Sequence, residues 1–242
     1  MQAVADLRKE YSASGLEEHE VPSEPMTLFR RWLDEAVAAK VVEPNAMCLS
    51  TVSADGKPSG RYVLLKGLDD RGFVWYTNYQ SRKGQELAAA AFHVDGVDAP
   101  AAGPPACLTF WWGDLERSVR IEGTVERVAE AESQAYFNSR PRGSRIGAWA
   151  SNQSRPIGSR AALEAQYEDV CARFGGEKEE DNEGQVQPVP KPEHWGGFRL
   201  VPERVEFWKG RQSRLHDRLA YALLQEEGKA GGRKWALERL QP

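Results

Sequence analysis

Met47-Cys48-Leu49-Ser50-Thr51-Val52-Ser53-Ala54-Asp55-Gly56-Lys57-Pro58-Ser59-Gly60-Arg61-Tyr62-Val63-Leu64-Leu65-Lys66 is the stretch that decides the fold class. Met47 to Val52 and Arg61 to Lys66 are strand-like runs, and Ala54-Asp55-Gly56-Lys57 between them is turn chemistry, so the stretch reads as a hairpin. Asp69-Asp70-Arg71-Gly72 then turns the chain into Phe73-Val74-Trp75-Tyr76-Thr77. Short strands joined by such tight links predict an antiparallel meander. Cys107 to Trp112 and Val119 to Val128 add two strands, the second with Val119, Ile121, Gly123 and Val125 on one side. Phe198 to Leu200, Val205 to Trp208 and Arg214 to Leu223 supply the closing strands.

Helical spacing surrounds this sheet. Leu28, Phe29, Trp32, Leu33, Ala36 and Val37 recur on a 3.6-residue period. Ser81 is an N-cap for a helix running to about Ala91. Ala129 to Asn138 reads as a helix that stops near Pro141, because the residue before proline is pushed out of the α region. Leu163, Tyr167, Val170 and Phe174 mark another, ending at Gly175-Gly176. Residues 1 to 25 are polar and charged and read as a flexible arm, and residues 26 to 242 as a single domain. The fold class is α+β, mainly antiparallel β with peripheral helices. Val97 to Pro105 and the mostly acidic stretch from Glu177 to Gly184 read as surface insertions.

Composition narrows the function. The chain has 242 residues, 40% of them hydrophobic, enough for a sizeable core. A net charge of -4 argues against nucleic acid as the main partner, since phosphate-backbone binding shows as a basic excess. The three cysteines, Cys48, Cys107 and Cys171, suggest neither a disulfide framework nor a zinc motif and fit a reducing compartment. No apolar run approaches the ~20 residues of a membrane span. The expectation is a soluble, cytoplasmic protein, with an organellar location left open. A Gly-rich dinucleotide fingerprint, a Walker loop and a His-Glu-x-x-His zinc helix are all missing, so no metal is expected.

Three clusters are candidate anion sites. In Arg214-Leu215-His216-Asp217-Arg218, read as a strand, alternate residues share a face, so Arg214, His216 and Arg218 point one way. A solubilising edge explains that pattern equally well. His216 and Asp217 would face opposite sides and make a poor dyad. In Ser81-Arg82-Lys83, cations at a helix start oppose the macrodipole unless an anion reverses the sign. Two side chains extending into water are the commoner outcome of such a pattern. In the third cluster, Tyr136 and Arg140 are four apart on one helix face, and the turn after Pro141 brings the Ser144 hydroxyl alongside. An arginine, a phenol and a hydroxyl together suit a phosphomonoester, although a rim tyrosine in a core is the ordinary alternative for Tyr136.

Several ordered blocks carry a resemblance: Arg61 through Lys66, Tyr76-Thr77-Asn78, Ser81-Arg82-Lys83, Ser139-Arg140-Pro141, Ile146-Gly147-Ala148-Trp149, Gln153-Ser154, Trp195-Gly196-Gly197-Phe198, and Phe207-Trp208 through Arg218. From about Leu7 to the terminal Leu240-Gln241-Pro242 the sequence resembles the pyridoxine/pyridoxamine 5'-phosphate oxidases. The resemblance implies an FMN-binding split β-barrel that works as a homodimer with FMN at the subunit interface. It implies that Arg61, Arg82 and Lys83 hold the FMN phosphate, and that Tyr76, Thr77 and the backbone around Val63 and Leu64 line the flavin. Gln153, Ser154, Trp208 and Arg218 complete that pocket, partly from the second chain. Lys66, counted with both ligands, meets the substrate phosphate together with Tyr136, Arg140 and Ser144. Arg214 and His216 lie over the pyridine ring as the catalytic pair, and Arg8 to Tyr11 fold over the substrate as a lid. Arg61 and Lys66 are an odd number apart, so either a bulge intervenes or they serve different groups.

The implied reaction oxidises pyridoxamine 5'-phosphate and pyridoxine 5'-phosphate to pyridoxal 5'-phosphate, with O2 as acceptor and hydrogen peroxide as product. One departure stands out. Where the family has a flavin-binding glutamine this chain has Ser118, so a water substitutes or FMN binds more weakly. The rival readings are a non-catalytic carrier of pyridoxal phosphate or flavin, and a split-barrel flavoenzyme with another substrate.

Overall fold

A computed structural model describes residues 4–6, 10–11, 14–88, 103–176, 187–224 and 233–242. Among them nine strands form one antiparallel sheet: β1 Ala46–Val52, β2 Pro58–Leu64, β3 Gly67–Asp69, β4 Gly72–Asn78, β5 Pro105–Trp112, β6 Arg117–Arg127, β7 Trp195–Lys209, β8 Asp217–Leu223 and β9 Trp235–Arg239. Five α-helices accompany it: α1 Pro25–Ala38, α2 Arg82–Ala88, α3 Glu130–Asn138, α4 Arg142–Ala150 and α5 Arg160–Arg173. None is long and apolar enough to cross a membrane.

The strands run in the order β2-β1-β5-β6-β7-β4-β3, with β8 beside β7 and β9 beside β8. The expected hairpin forms, Val52 opposite Pro58 and Ala46 opposite Leu64, with Gly56 at a φ of 79° in its turn. A simple meander does not. β1 takes β5 as its other neighbour and β4 takes β7, so the two N-terminal hairpins lie at opposite ends of the path. That order dictates the shape. A flat seven-strand sheet places its edges ~29 Å apart, yet Leu64 and Gly67, the end of β2 and the start of β3, are joined by a link that spans at most ~11 Å. The sheet must curl until its edges nearly meet, which gives a barrel split between β2 and β3.

The concave side is filled by α1. Phe29 packs edge-on against Phe73 and Phe110, each with ring centroids 4.9 Å apart, and Trp32 meets Phe207 at 5.2 Å. Burying each such ring stabilises the fold by roughly 1.5–3 kcal/mol. Helix α1 therefore holds the curl from inside.

Three further expectations change. Phe198 to Leu200 and Val205 to Trp208 belong to one strand, β7, because β6 shifts register between Glu122 and Gly123 and lets the ladder pass Pro202. Residues after Pro141 form a helix, α4, whose buried Arg142 donates to the carbonyls of Gly176 (2.9 Å), Gln187 (2.6 Å) and Phe174. Finally, β8 begins only at Asp217. Ser213 and Arg214 both have left-handed φ values, 56° and 62°, so Gln212–Arg214 is a 3-10 turn, and β9 beyond it was unforeseen. The expected end of α2 near Ala91, most of the loop from Val97 and the acidic stretch from Glu177 lie outside the described residues.

Candidate functional site

A cleft of about 470 Å³ opens where β2, the end of β4, α3 and α4 meet. Lys66, Tyr136, Arg140 and Ser144 line it together with Val63, Leu64, Tyr76, Thr77, Lys83 and Gln153. Residues far apart in sequence are thus brought to one place. Ser144 arrives from the first turn of α4 rather than from an irregular turn. Lys66 lies just past β2, where its N–H donates to the Val74 carbonyl at 2.8 Å. With β2 ending at Leu64, the parity conflict disappears: Lys66 faces the cleft and Arg61 bonds elsewhere.

Arg140 is the most telling group. Its Nη1 is buried and has no hydrogen-bond partner, while the guanidinium lies 4.8 Å over the Trp195 ring and 5.6 Å over that of Phe137. Burial lowers its pKa, against the partial compensation of Tyr136. A charged donor held dry and unspent calls for an acceptor from outside. Around it, Tyr136 stacks on Tyr76 at 4.0 Å and Tyr76 on Trp195 at 5.5 Å. Burial and then the Glu132 charge push the Tyr76 phenol up to about 12, so it remains a donor.

Arg61, Arg82 and Lys83 gather beside the cleft. Arg61 donates from Nη2 to Glu86 Oε2 at 3.1 Å and Arg82 from Nε to Oε1 at 2.9 Å. Glu86 also accepts from Thr51 (2.5 Å) and Ser59 (2.7 Å). Burial alone would raise its pKa; the bonds from Thr51, Ser59 and Arg82 and the Arg61 charge win and bring it down to about 2. Lys83 extends to Thr77 Oγ1 (3.3 Å) and Gln153 Oε1 (3.1 Å). Burial, then repulsion from Arg61, lowers it to about 8. Ser81 caps α2 as expected, accepting the Gly84 N–H at 3.2 Å. Ser154 instead lines an adjoining depression with Arg155 and Ile157.

The remaining predicted residues form a separate cluster. Arg214, His216 and Arg218 do not share a strand face: Arg214 is exposed in its turn, and Arg218 donates to Glu206 (2.8 Å) and to the Gln241 carbonyl (2.9 Å). His216 packs 4.7 Å from Trp208, and Tyr11 lies edge-on to both, at 5.6 Å from Trp208 and 5.4 Å from His216. The Arg211 N–H donates to His216 Nδ1 at 3.1 Å, so the neutral ring carries its proton on Nε2. Burial and the Arg214 charge lower its pKa, which keeps it neutral. Ser118, opposite Trp208 in the ladder, donates to the Phe110 carbonyl at 2.9 Å. Arg8 lies outside the described residues. No hydrogen bond, ion pair or ring contact among the described residues joins this cluster to the cleft.

Sequence reading missed Glu86, although its i,i+4 spacing from Arg82 is a visible signal, and it missed Trp195 as the floor under Arg140. Among the described residues no group of His, Cys, Asp and Glu is placed to hold a metal.

A family model described as pyridoxamine 5'-phosphate oxidase matches residues 33–173, and one for a pyridoxine 5'-phosphate oxidase C-terminal dimerisation region matches residues 195–242. Among curated relatives, pyridoxine/pyridoxamine 5'-phosphate oxidases from Synechocystis sp. and Burkholderia lata are 52% and 50% identical, covering 99% and 100% of this chain and 98% and 100% of their own lengths. Among solved structures, PhzG from Burkholderia lata 383, in complex with tetrahydrophenazine-1-carboxylic acid, superposes with a TM-score of 0.76 at 29% identity, covering 97% of this chain and 100% of that one. A pyridoxamine 5'-phosphate oxidase-related, FMN binding protein from Nostoc punctiforme shares the fold, with a TM-score of 0.62 at 14% identity, 88% of this chain and 97% of its own being covered. The half-barrel is thus a split-barrel fold. Matched over more than half its length by the family model and end to end by oxidases at about 50% identity, the chain belongs to the pyridoxamine 5'-phosphate oxidase family.

Proposed function

We propose that the protein oxidises pyridoxamine 5'-phosphate and pyridoxine 5'-phosphate to pyridoxal 5'-phosphate, with FMN as cofactor, O2 as final acceptor and hydrogen peroxide as product. The observation that carries this reading is the buried, unpartnered Nη1 of Arg140 in a cleft shared with Lys66, Tyr136 and Ser144. A phosphate monoester supplies the missing acceptor oxygens and meets two cations and two hydroxyl donors.

The residues present also fit FMN. Among the described residues Arg61 and Arg82 both pair with one carboxylate, Glu86, and Lys83 lies beside them, so the cluster keeps a surplus of positive charge for a second phosphate ester. Burial and then the Arg61 charge depress the pKa of Lys83, and a phosphate beside it would offset both. Val63, Leu64, Tyr76, Thr77 and Gln153 line the same cleft, and we assign them to the ring system.

When bound, the flavin supplies the hydride acceptor and the route for two electrons to O2. The chain binds and orients. Gripping two phosphates fixes one ring against the other, and such positioning lowers a barrier by on the order of 7 kcal/mol or more in the best cases. Neutral His216 offers an Nε2–H donor, and Arg214 beside it a fixed positive charge; we assign them to the substrate ring and its reacting carbon. Trp208, Arg218 and position 118 belong to the cofactor side. The expected arm of residues 1 to 25 is tied down in its second half, where Leu16 is buried in the core with its N–H on Asp217 at 3.1 Å and the Pro22 carbonyl accepts from Tyr221 at 2.7 Å. We therefore assign the lid to Arg8 to Tyr11 alone, on a single domain, and the enzyme acts in the cytoplasm as a homodimer that holds FMN between its chains.

The likeness to PhzG favours one other reading, an aromatic carboxylate in place of the phosphorylated pyridine. The difference in identity between the two Burkholderia lata proteins, 50% against 29%, supports the phosphate. Mixing the FMN-loaded protein anaerobically with pyridoxamine 5'-phosphate tests the proposal. Bleaching of the flavin absorbance is expected; a bound but unreactive ligand would identify a carrier, and bleaching only by an aromatic acid would identify the other substrate.

A further inference from the structure

Among the described residues one carboxylate, Glu86, pairs with both Arg61 and Arg82, and it spends their nitrogens unequally. Its Oε2 accepts from Thr51 (2.5 Å), Ser59 (2.7 Å) and Arg61 Nη2 (3.1 Å), all on the β1–β2 hairpin. Arg61 is tied down further through Nη1, which donates to the Leu49 carbonyl at 3.1 Å. Glu86 Oε1 takes Arg82 Nε at 2.9 Å. That bond uses the inner nitrogen of the Arg82 fork. Both Nη groups, for which the described residues supply no partner, are left on a side chain that is 60% exposed. Asp55, which the Arg82 charge also reaches, is paired with Lys57 at 2.5 Å.

The fork stands beside the cleft. Lys83, next in sequence, turns inward: its Nζ reaches Thr77 Oγ1 and Gln153 Oε1, and all three residues line the cleft. The backbone beneath cannot give. A Cβ on Gly84 would come within 2.2 Å of the Tyr79 carbonyl oxygen, so the start of α2 is pressed onto the turn before it. With the helix fixed, the remaining freedom lies in the long Arg82 side chain, and Glu86 restrains it. We propose that Glu86 is a positioning residue for phosphate: by holding Arg82 through Nε it presents the two Nη groups as a preset fork, which grips a phosphate ester together with Lys83. The proposal rests on the FMN reading above and deepens it, since this carboxylate controls the phosphate end of the cofactor without touching it. Locking α2 to the hairpin needs only Oε2. The bond from Oε1 to an exposed arginine goes beyond that need.

The test compares FMN with riboflavin, which carries the same ring system and no phosphate, by titrating the apoprotein and following the quenching of flavin fluorescence. Wild-type apoprotein that takes up neither flavin removes the functional reading and the inference with it; one that binds riboflavin as tightly as FMN overturns the inference and leaves the flavin reading standing. Arg82→Lys keeps the charge and loses the nitrogen that Glu86 holds. It should lower the preference for FMN over riboflavin about ten-fold, the scale of one charge-assisted hydrogen bond. Glu86→Ala should lower it by a similar factor with riboflavin affinity nearly unchanged, because the fork is untethered while the ring pocket is untouched. Glu86→Gln, whose amide oxygen still accepts from Arg82 Nε, should recover most of that preference. A purely structural role would weaken both flavins together in Glu86→Ala, and a purely electrostatic one would raise the preference in both variants, since a negative charge near the phosphate is gone; either result overturns the inference. So does a glutamine variant no better than the alanine one, or an unchanged preference in Arg82→Lys. That last variant leaves Glu86 and its hairpin bonds in place, so it decides the matter if the alanine variant fails to fold.

Discussion

The Arg61 guanidinium, on an edge strand, donates to the buried Glu86 carboxylate of α2 at 3.1 Å. That pair locks the first turns of α2 onto the β1–β2 hairpin, since Glu86 also gathers Thr51 and Ser59. Removing one partner of a buried ion pair leaves the other charge uncompensated, which costs about 3 kcal/mol or more. Glu86→Gln should therefore lower the stability of the apoprotein by about that amount in urea unfolding. The loss has a pH signature. Because the folded pKa of Glu86 is near 2 and its ordinary value is 4.5, its stabilisation is complete above pH 4.5 and disappears as pH falls through 2. The gap between wild type and variant should narrow over that window; a gap of constant size would assign the effect to packing.

Lys83 behaves in the opposite sense. Its folded pKa of about 8 lies below the ordinary 10.5, so at neutral pH the folded apoprotein carries an ammonium that burial disfavours. Between pH 8 and 10.5 the unfolded chain binds more protons than the folded one, and stability from this group rises with pH. Lys83→Met should thus raise the melting temperature of the apoprotein at pH 7 by a few degrees and remove that rise with pH. The same change should weaken FMN retention, because the charge that is costly in the empty protein is the one a phosphate compensates. A variant that is destabilised and holds FMN normally would contradict both halves.

The sheet and most helices were legible because local patterns are strong where one face is buried: Met47 to Val52 and the Phe29, Trp32, Ala36 stripe declare themselves. The strand order was not, since no local feature of β1 reveals that β5 rather than β3 lies beside it. The Arg214 to Arg218 block shows the same limit at the site. Its alternation suggested one face, but left-handed Ser213 and Arg214 end that periodicity before β8 starts. The phosphate-type cluster was readable as a group of residues but not as one helix face: α3 ends at Asn138, so Tyr136 stands on α3, Ser144 on α4 and Arg140 in the bend between them, and Trp195 reaches them only through the sheet. Sequence carried the chemistry of each cluster, and tertiary structure decided which clusters meet.

That last decision yields a prediction about assembly. Arg140 lines the cleft, while His216 sits with Trp208 and Tyr11, and no described contact joins the two groups within one chain. On the proposed function we predict that, in a two-fold symmetric dimer, the cleft of one chain is completed by the His216 cluster of its partner, twice over. Arg140→Ala and His216→Ala should each abolish most activity alone. Unfolded together and refolded as a mixture, half of the dimers carry both kinds of chain, and in each of these one site receives both defects and the other receives none. About a quarter of wild-type activity should therefore return, set by the symmetry of a two-site dimer. Sites built within a single chain would give no recovery, because every cleft would keep its own defect. Activity of the mixed refolded sample, with each variant refolded alone as control, decides between the two arrangements.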